Sequence, residues 1–337
     1  MYVIEVCMNV KKILVIKFSA LGDLVHSSVI PVAIKEQYPE VKIHYLTTKN
    51  NARLLENCAC VDKILTYDGN FIECLRNIFQ EGYDVVFCLN YTMRCYLFSF
   101  FSFAKKVVFR KNEYNSLVEN YFYTAKSIFK NIDLPARLFL DNTDSVVVEA
   151  VKQKIKDYPR PYIVINPGKY NNNPRQGRIW NIKNWAELAK ELLSSFGGTV
   201  FVNGSMSERD YHIQLSDDRI VVLSGLLKLK ESCAMLSMAD LVISGDSGPV
   251  HIASAYNVKT LSLLGSTSPD KIKPYGDNGF YVEPDTECKY CWKKKCKYTQ
   301  SRYEYAPCIE SITVEKVMKK IRECCLLKNE APILSKE

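Results

Sequence analysis

No run of about 18 consecutive apolar residues occurs anywhere in the 337-residue chain, so the sequence predicts no membrane-spanning helix. The N-terminus carries no secretory pattern: Lys11 and Lys12 precede a short apolar strand, with neither an h-region nor a cleavage site. Met1 to Cys7 read as an upstream extension, with Met8 as an alternative start. Short internal repeats and low-complexity segments are also missing. Charge is only weakly biased. A net charge of +8 is modest for this length and does not point to nucleic acid; it suits an anionic ligand or an anionic membrane surface. What is present is ordinary for a globular protein: 47% apolar and 24% charged residues, on a chain long enough for two α/β domains. Cysteine is plentiful. An odd count of 13, several within expected core segments, favours a reducing cytoplasm over a disulfide framework.

Apolar periodicity sets the organisation. Ile13–Ile16 is a continuous apolar strand, of the kind buried on both faces of a parallel sheet. The loop Phe18 to Asp23 follows, then a helix from about Leu24 to Tyr38, which Pro31 should kink or split. Further strands are expected at 41–46, 63–67, 84–89 and 107–109, with helices at 51–57 and 71–79 between the earlier ones. The alternation implies a doubly wound parallel sheet. It loosens from Asn131. A helix over 146–155 ends before Pro159 and Pro161, which places the domain boundary after residue 158. A second alternation then runs through strands at 162–166, 199–202, 220–223, 240–243 and 260–264. Its helices lie at 182–196, 207–215, 229–238 and 249–255. The expected layout is therefore residues 1–158 and 159–327 as two Rossmann-like domains, with 328–337 as a tail after a final helix, 314–326. The cleft between them is the expected ligand site.

Tyr96 to Ala104 is strongly aromatic and is followed by Lys105, Lys106 and Arg110. It reads either as a membrane-facing patch with a basic rim or as a buried helix packed on the sheet. The buried helix is the expectation.

The second half contains the stretch that organises the rest, Val242 to Ala255. A strand runs into Gly245-Asp246-Ser247-Gly248 and directly into a small-residue helix. Such a joint presents free backbone N–H groups at the positive end of a helix, where a phosphate can sit. Ser247 or Gly248 can cap the helix, Pro249 suits its first turn, and His251 lies less than a turn in. A tight strand–helix connection without a ligand fits the same residues. In the first half, Gly22-Asp23 opens a helix at the carboxyl end of the first strand. Asp23 is either a capping carboxylate or a general base, and His26, one turn on, either touches the same ligand or packs. The loop after Asn166-Pro-Gly168 carries Arg175 and Arg178, suited to a diphosphate. Glu208, in the first turn of a helix, either reaches a ribose or complements the helix dipole.

The order of these pieces makes a resemblance specific. Lys12 to His26 with Pro31, Asn166-Pro-Gly168, Arg178-Ile-Trp180, Gly204 to Glu208, Gly245 to His251 and Gly265-Ser-Thr-Ser-Pro269 resemble the motifs of glycosyltransferase family 9. These are the bacterial ADP-heptose:lipopolysaccharide heptosyltransferases. The likeness runs from Lys12 to about Ile321. It implies a GT-B fold, two Rossmann-like doubly wound domains facing across a cleft, whose closure would exclude water. By motif match Asp23 would be the base that deprotonates the acceptor, with Gly22 and His26 on the acceptor side. Arg178, Glu208, Asp246, Ser247, Gly248 and His251 would hold the ADP-sugar donor. Arg178 stands where members often carry Lys. Transfer would invert the anomeric centre and need no cofactor. The acceptor would be an anionic lipid-linked glycan, with peripheral contact at the cytoplasmic face of the inner membrane.

Cys288, Cys291, Cys296 and Cys308 could together hold a structural zinc ion in a tetrahedral thiolate site, or stay reduced thiols. Lys293, Lys294, Lys295 and Lys297 lie among them, as a basic lip or a solvated loop. Two other functions stay open at this level: another GT-B enzyme such as a nucleotide-sugar epimerase, and a non-catalytic nucleotide- or glycan-binding protein.

Overall fold

The computed structural model describes residues 10–138, 144–168, 177–293, 296–298 and 305–327. Arg175, Lys294, Lys295 and the 328–337 tail lie outside them, as do Met1 to Cys7 and Met8. The chain divides into two compact units, and the division falls between residues 135 and 143.

The first unit is a five-stranded parallel sheet in the order β3-β2-β1-β4-β5. Its strands are β1 (Lys12–Ile16), β2 (Lys42–Thr48), β3 (Lys63–Tyr67), β4 (Val85–Cys88) and β5 (Lys106–Phe109). Between them run α1 (Leu21–Ser27), α2 (Val29–Gln37), α3 (Lys49–Leu55), α4 (Phe71–Glu81) and α5 (Met93–Phe100), and α6 (Leu117–Lys126) follows β5. Central β1 has neighbours on both edges and helices on both faces, so Ile13, Leu14, Val15 and Ile16 are all fully buried. Each such side chain contributes about 1.5–3 kcal/mol of burial. Thr48, Asn70, Thr92 and Ser116 each accept a backbone N–H at the start of α3, α4, α5 and α6, which fixes where those helices begin.

The second unit is a six-stranded parallel sheet in the order β11-β10-β9-β6-β7-β8. It contains β6 (Tyr162–Asn166), β7 (Thr199–Val202), β8 (Ile220–Val222), β9 (Leu241–Gly245), β10 (Thr260–Leu263) and β11 (Gly279–Val282). Its helices are α7 (Ser145–Ile155), α8 (Ile182–Phe196), α9 (Arg209–His212), α10 (Leu229–Ser237), α11 (Gly248–Ala255), α12 (Pro269–Ile272), α13 (Pro307–Glu310) and α14 (Val314–Glu323). Both sheets are doubly wound and Rossmann-like, and each reverses its strand order at one point: between β1 and β4, and between β6 and β9. Loops at the carboxyl ends of those strands are the places where such sheets bind ligands.

Three expectations need correction. The domain boundary does not follow residue 158. Helix α7 buries Val151 and Ile155, packs on α10, and its Lys154 Nζ lies 2.5 Å from Glu231 Oε1, so it belongs to the second unit. Prolines stop a helix; they do not decide which sheet its apolar stripe covers. The first long helix is indeed split, but at Ser28. Pro31 falls in the first turn of α2, where its missing N–H costs nothing. The aromatic helix α5 is not simply buried: Cys95, Phe98 and Ser99 face the interior while Phe100 and, just beyond the helix, Phe103 are largely exposed. The structure also adds α6 and β11, which the periodicity did not single out. No described helix is long and apolar enough to cross a membrane.

Candidate functional site

In the first unit the loop leaving β1 is held from both sides of the strand-order reversal. Phe18 N donates to Asn90 Oδ1, just past β4, at 2.8 Å, and Asn51 Nδ2 of α3 donates to Phe18 O at 2.8 Å. The loop delivers Asp23 to the third position of α1. Its carboxylate oxygen lies 3.1 Å from Lys17 Nζ, with Lys17 1% exposed and Asp23 32% exposed. Burial lowers the pKa of Lys17, the pairing with Asp23 works against that, and Arg110 adds to the lowering. Lys17 Nζ also sits 5.6 Å from the centre of the Tyr121 ring, and Arg110 lies 4.9 Å from that of Tyr91. Burial pushes the Tyr121 phenol well above its ordinary pKa. The arrangement is a partly exposed carboxylate whose direction is set by a buried ammonium, at the end of a central strand. Gly22 and His26 are buried, so the His26 ring points to the interior while Asp23 faces outward. Lys17, Asn51, Asn90 and Arg110 were missed from sequence. The available signal was position: Lys17 directly follows β1, and Asn90 lies two residues past β4.

In the second unit, β9 leads into the turn Asp246-Ser247 and then α11. Asp246 is only 4% exposed, yet its oxygens meet three partners: Thr267 Oγ1 at 2.8 Å, Arg178 Nε at 3.4 Å and His251 Nε2 at 3.7 Å. Burial works to raise the pKa of Asp246, but His251, Arg178 and the Thr267 hydrogen bond outweigh it, and the carboxyl sits below its ordinary value. Ser247 occupies the N-cap position of α11 without a side-chain cap bond; its Oγ is 2.7 Å from Ser244 Oγ instead. Gly248 is the first helical residue. His251 is buried beneath the turn, so it acts on the loop through Asp246. The backbone at Arg178 presses on this turn: a Cβ on Gly245 would lie 2.6 Å from Arg178 O, and one on Gly265 would lie 2.2 Å from Gly177 O. Gly177, at φ +57°, makes the bend that permits this approach.

Glu208 has a local role. It closes a capping box in which Ser205 N and Ser205 Oγ each donate to Glu208 Oε2 at 2.6 Å. The expected helix over 207–215 is a chain of short turns around α9 that begins one residue earlier, with Ser205 at the N-cap. Beside it His212, unnoticed in the sequence, is fully buried. It donates from Nε2 to Gly168 O at 2.8 Å and places Nδ1 2.7 Å from Ser224 Oγ, tying the loop after β6 to the one after β8.

The cysteines are free thiols at all twelve described positions. Among the described residues no group of three or more His, Cys, Asp or Glu side chains is placed to hold a metal ion. Cys296 and Cys308 are buried while Cys291 is exposed. Cys308 is taken up by packing: its Sγ would be 2.7 Å from a Cβ on Gly177. Burial, and then the neighbouring Cys288, Cys291 and Cys296, push the Cys308 thiol up to about 12. The same segment borders the Asp246 site in a way the spacing did not suggest. Trp292 N donates to Ser266 O at 2.9 Å, and the indole lies 5.1 Å from Arg178 Cζ and 4.5 Å from Lys271 Nζ.

The model of glycosyltransferase family 9 (heptosyltransferase) matches residues 72–301. The chain belongs to this family. It is therefore a glycosyltransferase, which sets aside the epimerase and the non-catalytic binding protein. Among curated relatives, the lipopolysaccharide heptosyltransferase 1 of Campylobacter coli is 24% identical over 93% of this chain and 98% of its own length. Among solved structures, the ADP-heptose lipopolysaccharide heptosyltransferase II of E. coli superposes with a TM-score of 0.76 at 19% identity, covering 94% of this chain and 98% of that one. The E. coli heptosyltransferase WaaC, solved with ADP-2-deoxy-2-fluoro heptose, gives 0.67 at 16% identity over 93% and 99%. These likenesses show the fold, and the two Rossmann-like units are those of the GT-B class.

Proposed function

We propose that this family 9 enzyme transfers a heptose from an ADP-heptose donor to the inner core of lipopolysaccharide, with inversion at the anomeric carbon. The observation that carries the reading is the Asp23–Lys17 pair at the strand-order reversal of the first unit. Asp23 takes the proton of the attacking acceptor hydroxyl, and its neighbour Lys17 keeps the carboxylate aimed. The acceptor oxygen bonds to the anomeric carbon as ADP leaves from the opposite face. In the second unit the N-terminus of α11 and Arg178 receive the growing charge on the departing diphosphate. Asp246, His251 and Thr267 hold Arg178 and the turn in place. Glu208 contacts the ribose from its capping box, and Gly248 lets the backbone approach the phosphates. His26 and Gly22 shape the acceptor side from below. Relatives of this name support the donor and the acceptor class, and the ADP-sugar analogue bound by the WaaC neighbour supports ADP as the carrier.

No metal takes part in this scheme; the four-cysteine segment is read as structural, buttressing Gly177 and Arg178. The enzyme is placed at the cytoplasmic face of the inner membrane, where a lipid-anchored anionic acceptor is presented.

The test is transfer from ADP-heptose to truncated lipopolysaccharide acceptors, alongside calorimetric binding of ADP, UDP and GDP. We expect selective ADP binding, and transfer that Asp23→Ala abolishes while ADP binding stays nearly intact. Full transfer by that variant would remove Asp23 as the base; preference for UDP or GDP would overturn the donor.

A further inference from the structure

One surface of the first unit takes no part in the chemistry above. Phe79 on α4 is 62% exposed, Phe100 at the end of α5 is 72% exposed, and Phe103 in the following turn is 71% exposed. The rings form two pairs. Phe79 and Phe103 meet edge to face with centroids 5.8 Å apart, and Phe100 meets Phe101 at 5.1 Å. Helix α5 thus has two apolar faces. One, with Cys95 and Phe98, is buried in the core of the unit; the other, with Met93, Leu97 and Phe100, is turned outward. Packing within the unit explains only the first. An exposed aromatic patch of this kind marks an interaction surface.

Charge indicates what meets it. From Tyr91 to Asn112 the chain carries Arg94, Lys105, Lys106, Arg110 and Lys111, and not one Asp or Glu. Asp84 draws on Lys105 at 2.6 Å and Glu113 on Lys111 at 3.5 Å, while Arg94 and Arg110 lie over aromatic rings. Those two arginines are thereby drawn to the Asp23 side, so the basic residues beside the exposed rings are Lys105 and Lys106, next to Phe103, and Arg76, one turn before Phe79 on α4. Large aromatic side chains flanked by lysine and arginine suit the boundary between headgroups and acyl chains of an anionic bilayer.

We propose that the α4–α5 face, centred on Phe79, Phe100 and Phe103, docks the enzyme on an anionic lipid surface. The inference rests on the membrane-borne acceptor of the preceding section for its purpose, but not for its measurement. Full-length protein is floated with vesicles of phosphatidylcholine alone or mixed with phosphatidylglycerol, without donor or acceptor. Binding is expected only to the phosphatidylglycerol vesicles and should weaken as salt is raised. The double variant Phe100→Ser with Phe103→Ser should bind them at least about tenfold more weakly, since two rings leave the interface. Its circular dichroism, and its transfer to a water-soluble de-acylated core acceptor, should match the parent.

Equal vesicle binding by parent and variant, or none by the parent, overturns the proposal. So does a parent that is dimeric by light scattering and a variant that is monomeric with vesicle binding unchanged, because a second copy then covers the face. Failure of the parent to transfer to the soluble acceptor strikes the heptosyl reading instead and leaves the vesicle result to judge this one.

Discussion

Asp246 keeps its charge in a nearly closed site because three side chains from separate segments reach it: Arg178 before α8, His251 in α11 and Thr267 after β10. Removing the charge leaves Arg178 without its anchor, so Asp246→Asn should lose roughly 3–5 kcal/mol of stability at neutral pH and weaken ADP binding. The sign of the pH dependence follows from its lowered pKa. Stability from this carboxylate is complete above the ordinary carboxylate range and disappears as pH falls through the lower folded value. Denaturant unfolding across acid pH should therefore show parent and variant converging; a constant gap would disprove the charge network. Lys17 acts on Asp23 in a similar way. Lys17→Met should slow transfer by about 10–100-fold through misplacement of the base, leaving ADP affinity unchanged. A normal turnover rate would show that Asp23 needs no such guide. At this scale the sequence was legible for the carboxylates and His251, which sit in recognisable turns. Several of their neighbours were not, because Lys17, Asn90 and Trp292 lie near their sites only after the chain has folded.

At the scale of elements, the strands and most helices follow from apolar periodicity and side-chain caps, and the structure reproduces their order. The misreadings have a common cause. Pro31 looked like a helix breaker but lies in a first turn; Pro159 and Pro161 looked like a domain boundary but only end α7. Local residues set where an element stops, and packing sets what it joins. The glycines of the Asp246 site illustrate the second effect. Gly245 has unexceptional backbone angles, and its need for glycine comes from Arg178 O, 2.6 Å from the position of a Cβ. Gly245→Ala should cost about 1–3 kcal/mol by overpacking and should weaken donor binding with it, as Arg178 is pushed aside. Urea titration paired with ADP calorimetry checks both; a stable variant with parental affinity would mean that the loop yields freely.

For the molecule as a whole, the cysteine segment separates two descriptions of the enzyme. In the one favoured here Cys308 is packed against Gly177, so chelator should leave both transfer and melting temperature unchanged, and purified protein should hold well under one metal ion per chain. Bound zinc at one equivalent, with a fall in melting temperature on its removal, would establish the other reading of these cysteines, a thiolate site. The amino-acid order was enough to establish two successive strand–helix alternations, the family and the turns that bear Asp23 and Asp246. Those properties are local, written in periodicity, caps and motif spacing. Folding alone decided that α7 joins the second unit, that Lys17 is buried against Asp23, that Cys308 packs beside Gly177, and that the aromatic face of α5 is turned outward. Each of these depends on which distant segments come to share a surface, and a run of residues carries no record of that.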